Sequence, residues 1–375
     1  DDSLIDDFLS FPETGQADQQ SLEFQVNGER GDWDFVSGIY YFEEEGDNFQ
    51  SPTTFNGGTG GIFILEQNVK SMAIFTNVGY AVNDDLRLSG GLRYTEDEKD
   101  VLANVGIGPF DASQDFDEIS WELAANYTLD GGMNVYGAIQ NGYQSGQFPA
   151  RPYCLFGGTA VGCLEASENI TAINYEVGIK GQPFERLQMS AALFFTQYSD
   201  LPYQVSSTTG EGFSTDNLIV DQDSFGFEWE STAYLTDNFF FHASLGYIDV
   251  DVDEQSGVKP VAPLTPELTF SISPELKVPM AGGGEFAFRI DYSFRDDMFG
   301  EPSSDPGRLT AIDSRDLLNA DFSYQSADGS WTAALYGRNI TDERYDNARL
   351  NTGDYVLQIL SNDASEFGLR FTKDF

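Results

Sequence analysis

Residues 285–295 read EFAFRIDYSFR, and the way these eleven residues divide decides the fold. Phe286, Phe288, Ile290, Tyr292 and Phe294 fall on one side of an extended chain, while Glu285, Ala287, Arg289, Asp291 and Arg295 fall on the other. This is the two-residue period of a β-strand with one oily and one charged face. The charged face carries too many ionised groups for a packed core. The oily face must therefore be covered, either by a second sheet or by lipid.

The pattern recurs along the chain. Leu86, Leu88, Gly90, Leu92 and Tyr94 alternate with Arg87, Ser89, Gly91, Arg93 and Thr95. Phe225, Phe227 and Trp229 alternate with Gly226, Glu228 and Glu230, and Phe367, Leu369 and Phe371 with Glu366, Gly368, Arg370 and Thr372. The periodicity predicts about fifteen strands of roughly ten to thirteen residues and no helix, which makes the class all-β. They lie near 20–28, 33–44, 68–81, 86–97, 116–128, 133–143, 171–181, 187–199, 221–235, 239–251, 267–278, 285–296, 316–326, 330–341 and 363–375.

The connections alternate in length. Short ones carry turn chemistry: Asn83-Asp84-Asp85, Asp130-Gly131-Gly132, Thr236-Asp237-Asn238 and Asp328-Gly329. Long ones, rich in Gly, Pro, Asp and Ser, are expected near 45–67, 98–115, 144–170, 200–220, 252–266, 297–315 and 342–362. A soluble sandwich uses shorter strands and connections of mixed length. Long strands with short turns at one end and long loops at the other point to a transmembrane antiparallel β-barrel, oily side to lipid and charged side to a water-filled lumen. Tyr40, Tyr41, Trp121, Trp229 and Trp331 stand near strand ends, where aromatic girdles form.

Composition agrees. The 375 residues carry 19 Lys and Arg against 62 Asp and Glu, a formal net charge of −43, which repels phosphate backbones and argues against nucleic acid as a partner. Gly (38), Phe (31) and Tyr (18) are abundant, as a sheet-rich membrane protein requires. The mean hydropathy is −0.32, and no run has the roughly 18–20 apolar residues of a spanning helix. A barrel averages out as polar, so that test is blind to it. The first residues, DDSLIDDFLS, lack the basic start and apolar stretch of a signal peptide, so the chain is expected to begin inside a longer protein.

Other features read as structural. Cys154 and Cys163 share one irregular stretch, where a disulfide is the first reading and a pair of free thiols the second; no ligand cluster accompanies them for a metal. Asp249, Asp251, Asp253 and Glu254 resemble a calcium loop, but Glu254 stands where the sharp turn needs Gly. Asn169-Ile-Thr171 and Asn339-Ile-Thr341 match a glycosylation pattern by chance. Gly57-Gly58-Thr59-Gly60-Gly61 has no following Lys-Ser/Thr and reads as a flexible loop. His242 lies on the lumen side without a base or nucleophile near it in sequence. No enzyme is expected, and no cofactor or metal is assigned.

Several stretches resemble, in order, segments of TonB-dependent outer-membrane receptors. They are SLEFQVNGERGDWDFVSGIYYFEEE (21–45), VYGAIQNGYQSGQF (135–148), INYEVGIKGQPFERLQMSAALFFTQYSDL (173–201), APLTPELTFSI (262–272), LYGRNITDERY (335–345) and the closing GLRFTKDF (368–375). The resemblance implies a 22-stranded barrel preceded by a plug domain and a TonB-contacting segment. Residues 1–375 would be its C-terminal part, with about 15 strands present, the plug and first strands outside it, and Phe375 as the membrane-assembly signal.

By the same resemblance the cargo is a scarce nutrient, a ferric siderophore or similar metal chelate, received at the loops and imported with energy from the TonB complex acting through the plug. A passive porin or a surface adhesion or structural outer-membrane barrel is the alternative. The barrel would sit in the bacterial outer membrane among lipid and lipopolysaccharide, its loops extracellular and its C-terminus periplasmic. The loop 144–170 is the leading receiving surface, holding Gln147, Phe148, Arg151, Tyr153 and the cysteines. Arg289, Arg295 and Arg338 could line a path for an anionic chelate, although arginines in such a lumen more commonly pair with carboxylates.

Overall fold

A computed structural model describes residues 9–10, 12–50, 54–55, 58–59, 63–104, 109–148, 165–209, 212–302, 309–351, 356–361 and 364–373. No helix occurs among them. Fifteen strands form one antiparallel order, each beside its sequence neighbour. They are β1 (Glu13–Arg30), β2 (Trp33–Gln50), β3 (Phe63–Ala81), β4 (Leu86–Asn104), β5 (Pro109–Thr128), β6 (Asn134–Gln144), β7 (Ile170–Phe184) and β8 (Leu187–Thr209). The remainder are β9 (Gly212–Thr236), β10 (Phe239–Val252), β11 (Leu268–Pro279), β12 (Glu285–Arg295), β13 (Arg315–Gln325), β14 (Trp331–Arg338) and β15 (Glu366–Lys373). Every strand read from the sequence is present. Several run further than expected: β2 and β3 extend into 45–67, β4 and β5 into 98–115, and β8 and β9 into 200–220. There the ladder is held by main-chain hydrogen bonds, and the alternation fades because both faces are wet.

The chain divides into two compact units, 1–124 with 140–172, and 125–139 with 173–375. In the first unit the register sorts the faces. Leu22 opposes Tyr41 and Tyr41 opposes Met72, while Phe24 opposes Ile39, Ile39 opposes Ile74 and Ile74 opposes Tyr94. This oily side is not packed: Leu22 is 71% and Ile74 61% exposed. On the other side Gln25, Gly38, Phe75 and Arg93 line up, as do Glu23, Tyr40, Ala73 and Thr95. Tyr41 sits on the oily face as a girdle residue should, but Tyr40 does not. Its ring centroid lies 5.4 Å from the guanidinium carbon of Arg93 on the charged face, because consecutive strand residues point to opposite sides. At the turn end of the oily face Trp33 and Tyr80 pack with centroids 4.4 Å apart.

In the second unit Phe270 stacks on Phe294 at 5.2 Å. An aromatic row then runs from Phe286 to Tyr324 (4.8 Å), Trp331 (5.4 Å) and Phe371 (5.9 Å). Leu369, on the same side, is 85% exposed. The buried core is small: Val205, Leu218, Val220 and Val252 cluster with Tyr203, Val250, Val258 and Ala262, where the loop after β10 folds over the strand tops. Turns follow their sequence chemistry. Asn83 Oδ1 accepts from the N–H groups of Asp85 (2.9 Å) and Leu86 (2.8 Å), and Gly131 and Gly132 take φ of +91° and +84°.

Candidate ligand-receiving surface

The loop predicted to receive cargo is closed at its base by a ring of polar contacts. Gln147 donates its N–H to Ser167 Oγ (2.9 Å) and its carbonyl accepts from the Ser167 N–H (2.9 Å). The Gly146 N–H donates to Asn169 Oδ1 (3.3 Å), and Asn169 Nδ2 reaches back to the Asp117 carbonyl (3.1 Å). Lys99 drives its ammonium into this ring, donating to the carbonyls of Gly146 (2.8 Å) and Ser145 (3.3 Å), with Nζ 5.6 Å from the centroid of the Phe116 ring. Beside it Tyr143 donates to Asp97 (2.9 Å). Gly146 is required here, since a Cβ would overlap the Ser167 carbonyl oxygen and crowd Phe116.

Of the residues expected at this surface, Gln147 is exposed and Phe148 half-buried. Arg151, Tyr153, Cys154 and Cys163 lie outside the described residues, as does Phe375. Lys99, Ser167 and Asn169 were not anticipated. A signal for Lys99 was present, a lone lysine within Glu96-Asp-Glu-Lys-Asp100, but the sequence reading ended the strand at 97 and left it in the loop 98–115.

On the charged face of the second unit carboxylates engage two of the arginines. Arg289 binds Asp291 through Nε (2.8 Å) and Nη2 (2.7 Å), and Ser273 Oγ donates to the same carboxylate (2.6 Å). Arg370 pairs with Asp321 at 3.1 Å. Tyr336 donates to Glu366 (2.8 Å), and the Arg338 guanidinium lies 5.6 Å from the Tyr336 ring centroid. Arg295 donates instead to a backbone carbonyl, that of Asp313 (3.1 Å). Asp251 is paired with Lys259 at 2.6 Å, and Nδ1 of His242 shares a 3.1 Å hydrogen bond with Thr232 Oγ1. Among the described residues no group of three His, Cys, Asp or Glu side chains is placed to hold a metal ion.

The polar knot after β14 has a defined geometry. Asn339 is buried in the left-handed region (φ +43°). Its Oδ1 accepts the Glu343 N–H (2.9 Å), its Nδ2 donates to the Glu343 carbonyl (3.0 Å), and its N–H donates to Asn319 Oδ1 (2.9 Å). Asp342, also left-handed (φ +53°), accepts the Ser365 N–H at 3.0 Å, which together with Arg344 holds its carboxyl below the usual range. This exposed turn joins the end of β14 to the approach to β15.

The comparisons with known proteins follow the same lines. The family profile described as "TonB dependent receptor-like, beta-barrel" matches residues 3–367. No curated protein matches the chain. Among solved structures, the ferric yersiniabactin uptake receptor of Yersinia pestis is similar with a TM-score of 0.80 at 18% identity, over 98% of this chain and 55% of that one. The ferric-catecholate import receptor of E. coli K12 gives 0.71 at 15% identity, over 96% and 55%. The unliganded ferric citrate transporter FecA gives 0.70 at 15%, over 97% and 55%. The chain thus spans about half the length of the structures it resembles. The likeness establishes the fold, and the profile match over nearly the whole chain establishes kinship: this chain belongs to the TonB-dependent receptor β-barrel family.

Proposed function

We propose that the chain is the receiving and membrane-embedded part of an importer in the bacterial outer membrane, which takes up a metal chelate, foremost a ferric siderophore, with energy supplied by TonB. Its family is one of receptors and transporters and not of enzymes. The observation that carries the reading is the division of each strand. Oily residues lie exposed along one face, and a hydrogen-bonded polar network lies along the other and at the loop bases. The cargoes named for the similar structures support a chelate: ferric yersiniabactin, ferric catecholate and ferric citrate, with copper for another.

In this reading the long loops are extracellular, and the turns and the C-terminus are periplasmic. Loop 144–170 receives cargo, with Arg151 and Tyr153 as contacts and Cys154 and Cys163 joined as a stiffening disulfide. The plug that contacts TonB belongs to the full-length receptor. Toward the loop end of the oily face the apolar residues give way to Gln20, Glu43, Lys70 and Glu98 in register, with Lys70 and Glu43 at 3.9 Å. That change of character supports contact with lipid and lipopolysaccharide headgroups at this height.

The test is uptake of radiolabelled ferric chelates by cells carrying the full-length receptor, with and without TonB. Accumulation that stops when TonB is removed supports energised import. Flux that persists without TonB and scales with solute size would identify a porin instead.

A further inference from the structure

Arg295 ends β12 and Arg315 opens β13, and the register sets them directly opposite one another. Thr269 lies beside Arg295 on the same charged face. Like charges facing each other across a ladder repel. Six other arginines meet carboxylates: Arg87 with Asp34, Arg186 with Asp237, Arg289 with Asp291, Arg344 with Asp342, Arg349 with Asp346 and Arg370 with Asp321, while Arg93 and Arg338 lie over aromatic rings. Among the described residues neither Arg295 nor Arg315 has a carboxylate at ion-pair distance. Nη2 of Arg295 donates to the Asp313 carbonyl (3.1 Å), and its Nε is buried without an acceptor. Arg315 sits over Tyr345, its guanidinium carbon 4.3 Å from the ring centroid.

Two carboxylates on the adjoining loops are engaged elsewhere. Asp346 accepts from Arg349 Nε (2.5 Å) and Gln358 Nε2 (2.6 Å), and Glu301 accepts the Asn351 N–H (2.9 Å). The chain has 62 acidic side chains against 19 basic ones, yet among the described residues these two arginines face each other without a carboxylate partner. An unpaired donor and a like-charge contact both cost stability, and one oxyanion between the forks relieves both.

We infer that Arg295 and Arg315 form an oxyanion site that takes a carboxylate of the cargo, with Tyr345 fixing the plane of Arg315. The inference rests on the uptake reading and narrows it: the chelate carries a free carboxylate, because a planar guanidinium fork matches two carboxylate oxygens, whereas a neutral chelate offers it no charge.

The experiment is calorimetric titration of the purified full-length receptor in detergent with citrate, with inorganic phosphate and with sodium chloride, at matched ionic strength. Saturable citrate binding is expected, weakened about tenfold or more in Arg295→Gln and in Arg315→Gln, and less in Arg315→Lys, which keeps the charge but loses the fork. Phosphate binding tighter than citrate overturns the carboxylate assignment. Wild-type receptor that responds to citrate no more than to sodium chloride, or folded variants that bind citrate as wild type does, overturn the site. The wild-type titration decides even where a variant fails to fold. Binding is read without TonB or an energised membrane, so a receptor that binds citrate through this pair but imports no chelate would contradict the uptake reading alone.

Discussion

Asn339 shows how much one residue can hold. Its side chain makes two hydrogen bonds to Glu343 while its backbone occupies a left-handed conformation that Asn tolerates better than most residues. Asn339→Ala should cost roughly 2–3 kcal/mol, through unsatisfied buried groups and backbone strain, and Asn339→Gly less, since glycine removes the strain only. Unfolding midpoints of the two variants check the order. Gly146→Ala should also destabilise, by about 1–3 kcal/mol, because the Ser167 backbone must move to admit a Cβ. In the turn between β13 and β14, the hydroxyls of Ser326 (2.7 Å) and Ser330 (2.8 Å) and the Ser330 N–H (3.1 Å) pull the Asp328 carboxyl from the usual 3.8 down to about 2. A lowered carboxyl pKa stabilises the fold above the unfolded value, and that contribution is lost as pH falls through the folded one. The stability advantage of wild type over Asp328→Asn should therefore be full above pH about 4 and fade toward pH about 2, as read by acid unfolding. At this scale the sequence revealed residue types but not partners. Asp328-Gly329 was legible as a turn, yet the clasp of Lys99 on residues 145 and 146 joins positions 46 and 47 apart in the chain, a distance that no local pattern spans.

At the scale of the strand, the period-two alternation carried nearly all the information. It located all fifteen strands and the face of each arginine named within them, because side-chain direction in a strand follows parity. It failed at several strand ends and at one aromatic residue. Glu45-Gly-Asp47, for one, read as the start of a loop because both its faces are polar, although its backbone continues the ladder with β1 and β3. Tyr40 was placed in a girdle by proximity to the strand end, when its parity already set it with Arg93. A substitution pair tests the assignment of faces. Ile74→Arg, on the oily face between Ile39 and Tyr94, should cost about 2–4 kcal/mol in folding into a bilayer. Gln25→Arg, on the charged face opposite Gly38, should cost little. Equal penalties measured by folding into vesicles would contradict the division.

For the molecule as a whole, the charge imbalance argued against a nucleic-acid partner, and no helix among the described residues is long and apolar enough to cross a membrane. The ordered resemblance from residue 21 to the last strand then gave the family, which the match over residues 3–367 supports. The cargo was not legible in the same way, because specificity is made by loop side chains whose placement no strand period fixes. The central claim is that the exposed oily face meets acyl chains. It is tested most directly by a nitroxide scan of residues 71–78 in the full-length receptor reconstituted into vesicles, comparing collisions with oxygen and with a water-soluble nickel chelate. Oxygen access should peak at positions 72, 74, 76 and 78 and fall at 71, 73, 75 and 77. A flat profile, or oxygen maxima at the odd positions, would contradict it.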